Sequence, residues 1–356
     1  MTRGNSIATT DLSAPSSVAQ KSSSRRLAFL DAIRGIAAFA VMFQHGAEKI
    51  YPKYSLWADR VFNFGIFGVV SFFLVSGFII PVSIEKYGSI LRFWKGRFWR
   101  LYPMYWCSLL LALLFGYLGL FPLSPRFYSS TASTVLANFT MFQDYIRIPS
   151  AIPLYWTLSL EMAFYVICTL LFWRKVLERS MLWAVFSILG MAALEISTAV
   201  LFHRSLPYGR IGLLVTCFVG TLAYRVHQNQ TKGSSLLWLG LLLCPVLVAG
   251  FWLRYNFLPS SSDGSEGFSL LCVVSSWAGA YAFFFMVFLL RHQSFPVVLQ
   301  WLGRISYSLY LLHALILWGL PGERLGVFWL LPCMSISIGL SYCTYTWIER
   351  PLMSRS

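Results

Sequence analysis

Charge is scarce in this chain. Asp, Glu, Lys and Arg make up 12% of its 356 residues, about half of the roughly 25% usual for a soluble globular domain. Hydrophobic residues account for 57% and aromatics for 17%, with a mean hydropathy of +0.65. A soluble domain is thereby excluded, and a polytopic membrane protein remains. Acidic residues are the rarest class, 13 against 28 Lys and Arg, giving a net charge of +15. A basic balance raises nucleic acid as a partner. Here, however, the basic residues punctuate apolar runs and do not gather on one soluble face. They read as positive loops and snorkelling side chains against membrane lipid, and no nucleic-acid partner is expected. Metal-ligand patterns are missing as well. The seven cysteines (Cys107, Cys168, Cys217, Cys244, Cys272, Cys333, Cys343) lie in apolar stretches without a C-x-x-C pair, so no metal site is expected and the thiols read as buried and reduced. The chain also has no internal repeat of the transporter kind and no loop long enough for a second domain.

Apolar runs of membrane-spanning length are abundant. Ten candidate spans fall at about 27–46, 61–81, 101–121, 152–173, 181–202, 211–227, 234–252, 268–290, 300–320 and 325–347, since about 20 helical residues cross about 30 Å of hydrocarbon. The expected fold is all-α and polytopic. Residues 1–26, rich in Ser and Thr, read as a disordered cytoplasmic tail, 27–351 as one membrane domain and 352–356 as a short C-terminal tail. With the N-terminus inside, eighteen Lys and Arg fall on the cytoplasmic side and nine opposite, Arg34 being intramembrane. The positive-inside rule then places both termini in the cytoplasm of a multi-pass inner (plasma) membrane protein. The longest outer connection, about 122–151, carries prolines that suit an irregular loop.

Five groups of residues stand out as candidates. The stretch Leu27 to Gly46 carries Arg34 and His45, eleven positions apart. On a helix that spacing puts both on one face, about 16 Å apart along the axis. Asp31, one turn earlier, can hold the Arg34 guanidinium, and an arginine inside a membrane helix faces a polar interior. In LRFWKGRFWRLYP, Arg97 and Arg100 form a two-arginine clamp suited to phosphate, on what otherwise reads as an ordinary positive flank. In LYWTLSLEMAFY, Glu161 sits mid-span, where a carboxylate pairs with an arginine or accepts a proton. SFFLVSGFII offers small residues for close helix packing, and RISYSLYLLH puts His313 inside another span, where a structural role is the simpler reading. By themselves these residues fit an enzyme, a transporter of a glycan-lipid or anionic solute, or a scaffold.

Their order resembles the membrane acyltransferase-3 family. LDAIRGIAAFAVMFQH matches its opening helix, with the Arg-x10-His spacing at Arg34 and His45; SFFLVSGFII matches FF-x-x-SG, including Ser76. RFWR at 97–100 matches R-x-x-R, and WTLSLEMAFY, from Trp156, matches W-S-L-x-x-E-x-x-F/Y with Thr157 in place of Ser. ISYSLYLLH, with Leu312 where Trp is frequent, and IERP complete the series over about residues 27–351. The resemblance implies transfer of an acyl group, commonly acetyl, from cytoplasmic acyl-CoA to a hydroxyl of a glycan or lipid-linked saccharide. Acyl-CoA is then a co-substrate, with no permanently bound cofactor. It implies His45 as general base with Glu161 orienting it or binding the acceptor, Arg34, Arg97 and Arg100 as donor-binding residues, and Asp31, Ser76, Trp156 and His313 in support.

Overall fold

The structure, a computed structural model, describes residues 28–257 and 267–353. The expected tail 1–26 and residues 354–356 lie outside the described residues; Leu352 and Met353, expected in the C-terminal tail, close a short helix. In chain order the helices are α1 (Ala28–Ile50), α2 (Pro52–Arg60), α3 (Phe64–Tyr87), α4 (Ile90–Tyr117), α5 (Arg126–Ser129), α6 (Thr131–Phe139) and α7 (Trp156–Trp173). There follow α8 (Ser180–Phe202), α9 (Tyr208–His227), α10 (Ser234–Phe257), α11 (Leu270–Leu289), α12 (Val297–Gly319), α13 (Val327–Thr344) and α14 (Arg350–Met353), with no strand among the described residues.

Eight helical stretches are long and apolar enough to cross a bilayer, and the chain is a multi-pass membrane protein. Two further helices of spanning length, α1 and α12, are too polar to qualify by hydropathy. Polarity here marks position. α1 and α12 pack against each other more extensively than any other pair, and α3 and then α9 continue the row. Most residues of α8, by contrast, are exposed or half-buried, as suits a helix facing lipid.

Small residues allow the central row to close up. A Cβ on Gly303 would stand 1.9 Å from the Asp31 carbonyl oxygen, and one on Gly77 2.0 Å from that of Cys217. Both contacts are backbone against backbone, so no side-chain adjustment relieves them. The close packing expected of SFFLVSGFII is thus realised at Gly77 against α9.

One boundary differs from expectation in a way that matters for the site. The apolar run begins at 101, but α4 begins at Ile90 and carries Pro103 within it. Proline removes one backbone donor, a loss that neighbouring helices and side chains accommodate in membrane proteins. The basic segment is therefore the inner part of a long helix, and Arg97 is 7% exposed. The connection 122–151 is also more ordered than an irregular loop. It folds as α5, α6 and a run of turns tied by Asn138, whose amide donates to the Thr134 and Pro149 carbonyls (2.9 and 3.0 Å) while its oxygen accepts from Ala151 N (3.0 Å).

Candidate active site

α1 passes two cavities, one near each end. The cavity toward the N-terminal end of α1, inner in the topology expected from charge, measures about 90 Å³ and is lined by Arg34 of α1, Ser76 of α3, Arg97 and Arg100 of α4, and Glu161 and Tyr165 of α7. Four helices supply these side chains, of which α1 and α3 belong to the row of close contacts just described. Arg34 lies 3.9 Å from Asp31 one turn back, as its spacing anticipates. Arg97 donates to Ser83 Oγ and stands over the rings of Phe93 and Tyr165, each 5.5 Å away. Glu161 accepts from Tyr165 OH (2.6 Å) and Ser76 Oγ (3.1 Å). Arg100, half-buried, donates no hydrogen bond to any described residue and repels Arg34 through like charge. Three guanidiniums and one carboxylate thus line a narrow space, with Asp31 and the buried Glu349 attracting Arg34 and Arg100 from behind that lining. An anionic group with a thin extension suits such a space.

The outer cavity, about 310 Å³, holds His45. The His45 ring stacks on His313, with centroids 5.6 Å apart and planes 17° apart, and meets the edge of Trp318 at 5.5 Å. Its Nδ1 lies 3.7 Å from Glu48 Oε2, longer than a hydrogen bond but of a kind that tightens when a catalytic complex forms. Glu48 is held in turn: Gln44 Nε2 donates to its Oε1 (2.6 Å), while Gln44 Oε1 accepts from Tyr54 OH (2.8 Å) and Phe64 N (2.9 Å). His313 is fully buried; its Nδ1 stands 2.8 Å from the Leu309 carbonyl oxygen, and Nε2 has no partner among the described residues. The two cavities share Val69 and Tyr310 in their walls. Tyr310 OH bonds Thr157 Oγ1 at 2.8 Å, so the Thr157 that replaces the family's Ser keeps the hydroxyl that this contact needs.

The residues singled out from the sequence therefore divide into two sets. Arg34, Arg97, Arg100, Glu161 and Ser76 meet in the inner cavity; His45 and Trp156 line the outer one, with His313 stacked on His45. Glu161, expected to orient His45 or to bind the acceptor, faces the inner cavity, and the carboxylate beside His45 is Glu48. That partner was readable three positions after His45, as an i,i+3 pair on one helix. Arg210 was not so readable. It is brought by α9 to stand 5.1 Å over the Trp156 ring and pairs with Asp144 at 2.6 Å. Among the described residues no group of His, Cys, Asp and Glu is placed to hold a metal ion.

A family model described as an acyltransferase domain, that of the acyltransferase-3 family, matches residues 27–346. The chain belongs to that family: it is a membrane acyltransferase. Among named relatives it is similar to the acyltransferase MdmB of Streptomyces mycarofaciens, 28% identical over 174 residues, which cover 44% of this chain and 43% of MdmB. It is also similar to ORF330 of Acidianus two-tailed virus, named as an acetyltransferase, 25% identical over 316 residues, which are 83% of this chain and 85% of the relative. No solved structure matches. Family membership sets aside the transporter and scaffold alternatives.

Proposed function

We propose that this enzyme moves an acyl group, acetyl in the simplest case, from cytoplasmic acyl-CoA to a hydroxyl of a saccharide or lipid-linked saccharide presented from the other side of the membrane. The observation that carries the reading is the pair of cavities on α1, basic at one end and histidine-bearing at the other, with Val69 and Tyr310 common to both walls. Ten spans follow if α1 and α12 cross with the eight apolar stretches, and the excess of basic residues on the inner side puts both termini in the cytoplasm of the plasma membrane.

In this reading the CoA phosphates sit at Arg97 and Arg100, where planar guanidiniums bind them bidentately. The pantetheine arm threads the narrow cavity beside Arg34, and the thioester emerges next to His45. The acceptor hydroxyl oxygen attacks the thioester carbonyl carbon as His45 Nε2 takes its proton. The C–S bond then breaks, and the imidazolium returns the proton to the leaving thiolate, giving the ester and free CoA. Glu48 steadies the imidazolium from the Nδ1 side. General-base catalysis of this kind is worth about 10²–10⁴ in rate. Glu161, held by Ser76 and Tyr165, offsets part of the arginine charge.

The test is transfer by purified protein from radiolabelled acetyl-CoA, with and without crude surface glycan of the host. Label should move into the glycan fraction, and His45→Ala should cut transfer by about 10²-fold or more while leaving membrane insertion and CoA binding intact. A protein that neither binds CoA nor transfers label refutes the donor assignment.

A further inference from the structure

Resting on the donor-side reading above, the lining of the outer cavity points further, to the kind of molecule that offers the hydroxyl. If acyl-CoA fills the inner cavity, the acceptor has only the outer one, and the lining of that space is mostly apolar. Around His45 stand Glu48, Gln44 and Asn63, all on α1 or just before α3. Away from His45 the wall is built from Leu213 of α9, Phe251 of α10, and Phe268, Val273 and Trp277 in and just before α11. Two cations also line this wall, each one helical turn from an apolar member: Arg210 beside Leu213, already engaged by Asp144 and Trp156, and the buried Arg254 beside Phe251, which donates to the Leu206 carbonyl (3.3 Å).

A fully hydrophilic sugar chain is a poor occupant of such a space. Its hydroxyls would lose water against the aromatic wall and find few partners there, at about 1–3 kcal/mol for each unpaired group. An apolar body gains instead, by about 0.8 kcal/mol per buried CH₂. We infer that the acceptor is an amphiphile: a hydroxyl-bearing polar head seated at His45, Gln44 and Asn63, attached to an apolar body that lies against Phe251, Phe268 and Trp277. The cavity volume of about 310 Å³ falls in the range of small-molecule sites, so the body that enters is of modest size, a lipid chain or a fused hydrophobic skeleton, and not a polymer strand.

Gly209, on the wall of the same cavity, supplies a means of testing this. A Cβ built there meets nothing within 4 Å, so a large side chain grows into open space and not into packed protein. The experiment uses the full chain in lipid nanodiscs with labelled acetyl-CoA, and compares methyl β-glucoside with octyl β-glucoside below its micellar concentration. The octyl acceptor should show a kcat/KM at least tenfold higher. Gly209→Trp should raise the KM of octyl glucoside about tenfold, with the KM of acetyl-CoA and the thermal midpoint unchanged; Phe268→Ala should raise it in the same direction by removing wall. Equal use of the two glucosides overturns the inference. So does a Gly209→Trp enzyme whose defect appears only with octanoyl-CoA as donor, because the apolar wall then serves the acyl chain. Label entering host glycan but neither glucoside overturns the amphiphile alone. Label entering no acceptor at all overturns the donor reading with it.

Discussion

The inner and outer cavities are built on the same helix and solve opposite problems. The inner one is narrow and lined by three guanidiniums and one carboxylate, with Arg100 left without a hydrogen-bond partner among the described residues. The outer one is more than three times larger and mostly apolar, and its reactive group is a neutral-capable ring braced by stacking and by a held carboxylate. Binding a polyanion needs fixed charge and tolerates imprecision, since point charges act over several ångströms. Moving a proton needs one atom in one place. Gln44, beside the reactive ring, accepts two hydrogen bonds, whereas Arg100 donates none to a described residue. A membrane interior makes each unpaired charge costly; Arg100 is compensated through the longer-range attraction of Asp31 and Glu349.

The contrast can be broken most forcefully at its inner end. Replacing Arg97 and Arg100 together by Ala removes two charged contacts of about 1.5–3 kcal/mol each, and the donor's apparent KM should rise about 10²-fold or more while kcat changes little, as expected for lost uniform binding. Because Arg97 is buried against Phe93 and Tyr165, Arg100→Ala is the cleaner arm, with a rise of about tenfold. Steady-state kinetics with varied acetyl-CoA decides it. An unchanged KM in both variants means that the basic segment is only a topological flank.

The next prediction sharpens the outer end. Glu48→Gln keeps the shape and the contact with Gln44 but removes the negative charge facing His45 Nδ1. The imidazolium formed during transfer loses a stabilising partner, at about 1–1.5 kcal/mol, so kcat should fall about tenfold with both KM values near wild type. Glu161→Gln should not reproduce that pattern, because Glu161 faces the arginine-lined cavity; if acyl-CoA binds there, its signature is in the donor KM. If Glu161→Gln lowers kcat selectively and Glu48→Gln does not, the division of labour between the two carboxylates is reversed.

Much of this site can be read from the chain. The eleven-residue spacing places Arg34 and His45 on one helix face, and the structure has both looking inward, although into different cavities. Arg97, Arg100 and Glu161 were recognisable as costly intramembrane or near-membrane charges, and they converge. What resists reading is whatever depends on packing between distant helices. The apolar run argues locally for a span starting near 101, yet α4 begins at Ile90 and Arg97 is buried. The stacking of His313 on His45 requires the α1–α12 approach at Gly303, and the Arg210–Trp156–Asp144 group requires α7, α9 and the connection after α6 to meet. No periodicity along one segment encodes such meetings. Glu48 is the exception. Its signal was local, and a conspicuous mid-span carboxylate at Glu161 drew the assignment away from it.

The smallest predicted effect concerns how firmly the outer end of α1 is fixed, since His45 lies one turn before Lys49. Lys49 Nζ meets Glu323 Oε1 at 2.5 Å, donates to the Leu317 carbonyl (2.7 Å) and stands 5.1 Å over the Trp329 ring. The Lys49 hydrogen bond, helped by backbone N–H groups, holds the Glu323 carboxyl down from its ordinary 4.5 to about 2. A carboxyl depressed in the folded state contributes stability that is fully present above the unfolded value of about 4.3 and is lost as pH falls through the folded value of about 2. Glu323 lies at the surface, where solvent screens the pair, so the contribution is small. Glu323→Gln should therefore lower the thermal midpoint in nanodiscs slightly at pH 6, and the difference from wild type should close as pH falls from about 4.5 toward 2. Transfer at pH 7 should change by less than about twofold, because the Leu317 carbonyl and the Trp329 ring still hold Lys49. A larger loss in kcat makes this ion pair part of what positions His45, and the outer end of α1 then depends on its loop contacts more than on the helix row.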